Sequence, residues 1–294
     1  MAVFITGASG RLGSSVLPLL KNAIPLVRAP KGLKNEVVSD FSLKGLSRIL
    51  EGADALVHIA GSTNFLDSAE LWKTNAELTK TLCQALPEDA HFVLASSISV
   101  YGKDVPSGAD ELTPIRPDTP YAKSKAEAER VIMARKSYAV LRIGPLYGPQ
   151  FQDYFRVLRM IEKGEFAIIG DGKNNIPFTH VKDAAKAFSA ALIKKGLFVV
   201  AGRGASQQEI IDTAAELLRV PKITKRVPYA VAFFGTKLRE MLFFQKPAIT
   251  TEHINILAKH RLFNCEKAKK ELGFSETPIE KGIEEMVSAY KALR

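Results

Sequence analysis

The first half of the chain alternates short apolar runs with longer segments of helical period. Ala2–Thr6, Pro25–Arg28, Glu36–Ser39, Ala55–Ala60, Phe92–Ala95 and Ala139–Ile143 are brief and β-prone, so each predicts a strand. Between them, Leu12–Leu20, Leu43–Glu51, Ala69–Leu86 and Tyr121–Lys136 place apolar residues at helical spacing. Pro18 is expected to bend or end the first of these helices. Strand, helix, strand in that order implies a parallel sheet covered on both faces, that is, a doubly wound α/β domain.

After about Pro149 the rhythm changes. Phe155–Lys163, His180–Lys194, Gln207–Arg219 and Glu280–Leu293 read as helices, and Cys265–Leu272 as a short one ended by Gly273. Gly164–Lys173 turns around Gly170-Asp171-Gly172. No repeat or low-complexity linker separates the halves. The expected division is 1–149 with 178–199 as the sheet domain, and 150–177 with 200–294 as a smaller region woven into it.

Composition narrows the class. The 294 residues are 46% hydrophobic and 24% charged, which excludes disorder, collagen-like repeats and a disulfide scaffold. Cys83 and Cys265 lie far apart without metal-knuckle spacing and fit a reducing compartment. The five histidines show no ligand spacing, so no metal is expected. No run reaches the ~18 apolar residues of a membrane span, and Met1–Thr6 lacks a basic leader, so a cytoplasmic protein is expected. The net charge of +10 favours anionic ligands such as phosphates. No recognition motif supports nucleic-acid binding.

The first strand runs into Thr6-Gly7-Ala8-Ser9-Gly10-Arg11-Leu12-Gly13, glycines in the pattern Gly-x-x-Gly-x-x-Gly opening a helix. Such glycines let the backbone turn tightly and approach a pyrophosphate at the helix N-terminus. A carboxylate ending the second strand would hold an adenosine ribose 2′-hydroxyl, whereas arginine accommodates a 2′-phosphate. Here Val27 runs into Arg28, Lys31 follows, and no acid precedes Glu36. The reading favours NADP, with NAD left open. Arg11 is expected to help at the phosphate, the plainer alternative being that both arginines face solvent. Asp40 and Phe41 are placed beside the adenine.

Tyr121-Ala-Lys-Ser-Lys125 sets a phenol and an ammonium four apart on one helical face. A phenol with an ordinary pKa near 10 is a poor base at neutral pH, and a nearby cation favours its phenolate. Upstream, Ser96-Ser97-Ile98-Ser99-Val100-Tyr101-Gly102 follows a strand, where open α/β sheets hold ligands. The glycine loop, strand-end serine and Tyr-x-x-x-Lys, in that order, resemble the extended short-chain dehydrogenase/reductases, which include sugar-nucleotide epimerases and dehydratases. The resemblance covers nearly the whole chain: Val57-His58-Ile59-Ala60-Gly61, Asn75, Leu141-Arg142 through Tyr147-Gly148-Pro149, His180-Val181-Lys182-Asp183-Ala184 and Lys267–Phe274 all take part. It implies a Rossmann-type sheet, Tyr121 as acid/base, Lys125 lowering its pKa and holding the nicotinamide ribose, and Ser97 bonding the substrate oxygen. Asn75 is given a water- or helix-positioning role, and a homodimer is implied by resemblance alone. The full cofactor-binding set is Gly7, Ser9, Gly10, Arg11, Leu12, Gly13, Arg28, Lys31, Asp40, Phe41, Ile59, Ala60, Gly61, Tyr121, Lys125 and Gly144.

Two departures bear on the branch. Sugar-nucleotide epimerases commonly carry an asparagine where this chain has Gly144-Pro145, and an arginine where it has Ile176-Pro177. Val227–Phe244 and Pro247–Thr250 instead resemble 3β-hydroxysteroid dehydrogenase-like and dihydroflavonol reductase-like members. Tyr229–Phe244 is expected as a helix packed on the core, with a pocket wall or a membrane surface as alternatives. The expected activity is hydride transfer between nicotinamide and a carbonyl or secondary alcohol. A nucleotide-sugar epimerase/dehydratase and a non-catalytic NADP-sensing protein are the alternatives.

Overall fold

Seven parallel strands carry the fold of this computed structural model, which describes residues 1–242 and 250–293. In chain order the elements are β1 (Val3–Thr6), α1 (Gly13–Val16), β2 (Ile24–Val27), β3 (Val37–Val38), α2 (Leu43–Ile49), β4 (Ala55–His58), α3 (Ser68–Leu71) and α4 (Leu78–Ala85). There follow β5 (His91–Ser97), α5 (Pro120–Met133), β6 (Tyr138–Ile143), α6 (Phe155–Glu162), α7 (Val181–Ala191) and β7 (Gly196–Val200). The chain closes with α8 (Gln207–Leu218), α9 (Tyr229–Leu242), α10 (Thr251–Ala258), α11 (Glu266–Leu272) and α12 (Ile279–Ala292). Short two-residue pairings join 146–147 to 179–180, 175–176 to 205–206 and 168–169 to 226–227.

The strand order is β7-β6-β5-β4-β1-β2-β3. Alternate residues of each strand feed opposite cores. Val3, Ile5, Ala55, Val57, Val93, Ala139 and Leu141 face a cluster closed by α1, α7 and α11. Phe4, Leu56, Phe92, Leu94 and Val140 face the one closed by α2, α4 and α5. The expected doubly wound Rossmann-type sheet is therefore the fold. A third cluster, built from α6, α8 and α12, forms the core of the smaller region.

One local feature follows the sequence pattern and two differ from it. Pro18 ends α1 early, and Leu17–Leu19 continue as a 3₁₀ turn because proline cannot donate to the ladder. The helix expected over Ala69–Leu86 is broken by a π turn at Trp72–Glu77. β7, which no strand prediction anticipated, pairs with β6 along its whole length. Its apolar run Leu197–Val200 follows α7 after a few residues, and the helical pattern masks it.

The expectation of a core-packed helix over Tyr229–Phe244 is corrected where it is described. No residue of 229–241 is buried, and Val231, Phe234, Leu238 and Met241 are more than half exposed. The helix is tied instead to α10, through Tyr229 OH to Asn255 Oδ1 at 2.7 Å and Glu240 to the Thr251 amide at 2.7 Å. Phe243, Phe244 and Pro247–Ile249 lie outside the described residues. Among the described residues no helix is long and apolar enough to cross a membrane, and no three His, Cys, Asp or Glu side chains cluster as a metal site. Cys83 and Cys265 are free thiols.

Candidate functional site

The strand order reverses between β1 and β4, whose ends Thr6 and His58 lie side by side. An open α/β sheet holds its ligand at such a crevice. Gly7 turns there with φ +73°, and a Cβ on it would lie 2.6 Å from the Ala60 amide nitrogen. A Cβ on Gly13 would overlap the Gly7 carbonyl oxygen outright. Both glycines are thus required by close backbone approach, of the loop to Ile59-Ala60 and of α1 to the loop. Ser9, Gly10 and Arg11 remain exposed above it while Leu12 is buried.

Just past the end of β2, Arg28 is exposed and its guanidinium lies 5.4 Å from the centroid of the Phe41 ring. Glu36 is unavailable to a ribose. Its carboxylate accepts the amides of Lys31, Gly32 and Leu33 at 2.9–3.2 Å, and these bonds, Leu33 foremost, hold it below the usual carboxylate range. Asp40 accepts the Ser42 amide at 2.9 Å at the entrance to α2. Arg11 pairs with Asp153 and lies 4.8 Å from the Phe151 ring centroid. A carboxylate and an aromatic face within reach of the guanidinium account for that orientation.

Beneath the crevice runs a fully defined hydrogen-bond chain. The Ala60 amide donates to Thr6 Oγ1 at 3.3 Å, Thr6 Oγ1 meets His58 Nδ1 at 2.6 Å, and His58 Nε2 meets Thr79 Oγ1 at 3.0 Å. Thr79 spends its proton on the Asn75 carbonyl at 2.6 Å, so His58 carries hydrogen on Nε2 and accepts from Thr6 at Nδ1. Burial, and then the Lys125 charge, push His58 down to about 3. The π turn aims the buried Asn75 side chain at the loop after β4 and at α5: it accepts the Ser62 amide at 2.8 Å and donates to Ser62 O at 3.1 Å and Ser124 Oγ at 3.0 Å.

A pH dependence follows. His58 binds no proton in the fold until pH falls near 3, whereas the unfolded chain takes one up near 6.5. Its contribution is therefore complete above pH 6.5 and drains as pH falls, at up to ~1.4 kcal/mol per pH unit. His58→Asn is expected to cost about 1–3 kcal/mol at pH 7, with the gap narrowing by pH 4. Denaturant midpoints of both proteins across that range check this, and a gap of constant size would reject it.

Ser97 ends β5 and caps the 3₁₀ turn Ile98–Tyr101, its Oγ accepting the Ser99 amide at 3.2 Å. Thr119 caps α5 by accepting the Ala122 amide at 3.1 Å, and Pro120 occupies the first turn. Tyr121 therefore stands at the start of the helix, and the Phe65 ring meets its ring edge-on at 5.3 Å. Lys125 is 7% exposed and donates to the Ala95 carbonyl at 2.9 Å. Burial pushes its pKa down to about 8, against the opposing pull of Glu129. A Cβ on Gly61 would lie 2.8 Å from Asn75 Oδ1 and 3.2 Å from Lys125 Nζ, so the ammonium abuts the same wall that flanks the glycine loop.

Phe65 and Glu129 were not evident as site residues from the sequence. Phe65 sits in a loop without periodic pattern. Glu129 carried a signal, being four residues beyond Lys125 as Lys125 is beyond Tyr121. On the far side, a Cβ on Gly144 would meet the Pro177 carbonyl at 2.5 Å and Thr179 Oγ1 at 2.6 Å, and Ile176 is 1% exposed in the third core. A separate cavity of about 710 Å³, lined by Tyr147, His180, Arg203, Lys269 and Glu280 among others, includes none of Ser97, Tyr121 and Lys125.

A model of the NAD dependent epimerase/dehydratase family matches residues 3–201. The chain is 31% identical over 224 residues to an Arabidopsis thaliana trifunctional UDP-glucose 4,6-dehydratase/UDP-4-keto-6-deoxy-D-glucose 3,5-epimerase/UDP-4-keto-L-rhamnose-reductase, a match covering 68% of this chain and 33% of that one. It thus spans about a third of that relative's length. It is 26% identical to short-chain dehydrogenase/reductase family 42E member 1 of Bos taurus, over 99% of this chain and 87% of the relative. Among solved structures, MoeE5 in complex with UDP-glucose and NAD superposes with a TM-score of 0.78 at 24% identity, covering 100% of this chain and 99% of that one, a likeness of fold. On the family match over residues 3–201, the chain belongs to the NAD-dependent epimerase/dehydratase family, within the extended short-chain dehydrogenase/reductases, a family of NAD-dependent enzymes.

Proposed function

We propose that this protein is an NADP(H)-dependent oxidoreductase interconverting a ketone and a secondary alcohol on a largely apolar small molecule. The observation that carries the reading is Lys125: a buried ammonium fixed to the end of β5, one helical turn beyond Tyr121 and against Gly61 on the dinucleotide wall. The residues present fit a dinucleotide, because Gly7 and Gly13 stand where any side chain would collide with backbone. The bound nicotinamide would supply or accept hydride at its C4. Tyr121 gives its phenolic proton to the carbonyl oxygen on reduction and takes it back on oxidation. Ser97 already accepts the Ser99 amide, which leaves its own hydrogen to donate to that oxygen as charge develops. Lys125 spends one of three N–H donors on Ala95 and keeps two for ribose hydroxyls.

The preference for NADP rests on Arg28, stacked on Phe41 near Lys31, and on Glu36 being consumed by its own loop. Arg28→Asp is expected to weaken NADPH binding about 100-fold, ~2.7 kcal/mol, and NADH binding far less. Equal losses in a fluorescence titration would reject the preference.

The second reading, an epimerase or dehydratase on a nucleotide sugar, is favoured by the Arabidopsis relative. Against it, Gly144 has no room for an asparagine and Ile176 points into a core. Dinucleotide titration followed by a panel of ketones, secondary alcohols and nucleotide sugars separates the two. Turnover confined to nucleotide sugars would overturn the first. The division into 1–149 with 178–199 and 150–177 with 200–294 belongs to the same proposal, though α11 packs on the sheet domain. A cytoplasmic location fits the two free thiols. A homodimer rests on resemblance, and light scattering tests it.

A further inference from the structure

Tyr121, Lys125 and Glu129 follow one another at four-residue intervals along α5, and the last two bond neighbouring residues near the end of β5. Ala95 accepts from Lys125 Nζ at 2.9 Å, Ser96 Oγ donates to Glu129 Oε1 at 2.5 Å, and Ser97 is the proposed substrate donor. Three consecutive residues at the end of β5 thus hold the ammonium, hold a carboxylate, and face the substrate. Glu129 is 2% exposed. It is fixed from behind by Arg142, whose Nη2 reaches Oε2 at 2.8 Å and whose Nε reaches Oε1 at 3.1 Å. Arg142 Nη1 donates to Tyr101 OH at 2.9 Å, and Tyr101 passes its own proton to the Asp110 carbonyl at 2.6 Å.

A carboxylate buried in this way carries a large desolvation penalty, and a plain apolar contact between α5 and the sheet would be at least as stable. Its place beside Lys125 gives it a different use. We propose that Glu129 is a positioning residue acting through Lys125, its fixed carboxylate keeping the buried ammonium charged at the dinucleotide wall over the working pH range. The inference rests on the reading of Lys125 as a cofactor-binding group.

Among the described residues, the charged and titratable groups around Lys125 are few. His58 on β4 is held neutral by burial, Tyr121 lies one turn back on α5, and Glu129 one turn on. Arg142 on β6 and Tyr101, pushed up to about 12 by its burial, stand behind Glu129. Glu129 is therefore the one acid acting on Lys125 in this set, opposing the burial that drives its pKa down to about 8.

The test is the affinity for NADPH as a function of pH between 6.5 and 10, read by fluorescence without turnover. For the natural protein, affinity is expected to fall as Lys125 deprotonates. In Glu129→Gln that fall is expected about one pH unit lower. Because this variant leaves Arg142 buried and unpaired, the double variant Glu129→Gln with Arg142→Met is measured beside it. It is expected to fold and to show an acid shift of the same sign and smaller size, because the Arg142 charge leaves with the carboxylate. Lys125→Met is the control and should flatten the curve. If it flattens the curve and both Glu129 variants superpose on the natural profile, the role of Glu129 is overturned. If Lys125→Met leaves the profile unchanged, the reading of Lys125 itself fails.

Discussion

Tyr121→Phe is expected to lower turnover on the best carbonyl or alcohol substrate by about 10²–10⁴-fold, while NADPH affinity stays within about threefold, ~0.7 kcal/mol. Only the hydroxyl is removed. The ring remains to meet Phe65 edge-on, and the Thr119 cap and Pro120 that set the helix start are untouched. Lys125 keeps its bond to Ala95, so the proposed ribose-binding end of the site persists. What is lost is the proton donor for an oxygen that becomes an alkoxide as hydride arrives. Ser97 can stabilise charge on that oxygen, but among the described residues its hydroxyl makes one hydrogen bond, accepted from the Ser99 amide, and none takes up its proton. Steady-state kinetics with parallel titration of NADPH checks both halves. Unchanged turnover would remove Tyr121 from the chemistry, and joint loss of turnover and affinity would recast it as a structural residue.

The alternation of strands and helices was legible because, unlike the edge strand β3, the central strands of the sheet are buried on both faces. Such strands read as unbroken apolar runs, as in Phe92–Ala95 and Ala139–Ile143. The glycine loop was legible for a steric reason that the fold repeats: Gly7 and Gly13 are where backbone meets backbone. Tyr121 and Lys125 stood out as a pair through spacing, since four residues on a helix return to the same face, and Ser97 stood out through its place at the end of an apolar strand.

What was not legible depends on contacts distant in sequence. The Thr6–His58–Thr79 chain joins residues 52 and 21 positions apart, and only the pairing of β1 with β4 makes it visible. The π turn that points Asn75 inward has no composition signature in Trp72–Glu77. The partner of Arg11 lies 142 residues away, in a loop whose approach to the crevice no local pattern encodes. α9 misled for a different reason: its apolar residues look like a core face, yet they are the side left open.

Gly13→Ala is expected to weaken dinucleotide binding about 100-fold or more, ~3 kcal/mol, and to lower stability by about 1–3 kcal/mol. The added carbon would overlap the Gly7 carbonyl and press on the Gly7 carbon and Ala8 Cα at 2.7 and 2.8 Å, all of them backbone or fixed to it. No side chain can swing aside, so α1 must retreat from the loop and carry its first-turn amides away from the diphosphate. Gly10→Ala provides the internal comparison. Its added carbon has only the Gly7 carbonyl oxygen within 4 Å, at 3.2 Å, and the position is exposed. A loss of less than about tenfold, ~1.4 kcal/mol, is expected there, with little change in stability. Thermal unfolding with and without NADPH reads both quantities for both variants. If Gly10→Ala proved as damaging as Gly13→Ala, the steric argument for the loop would fail, since it attributes the damage to backbone overlap rather than to the loss of any glycine.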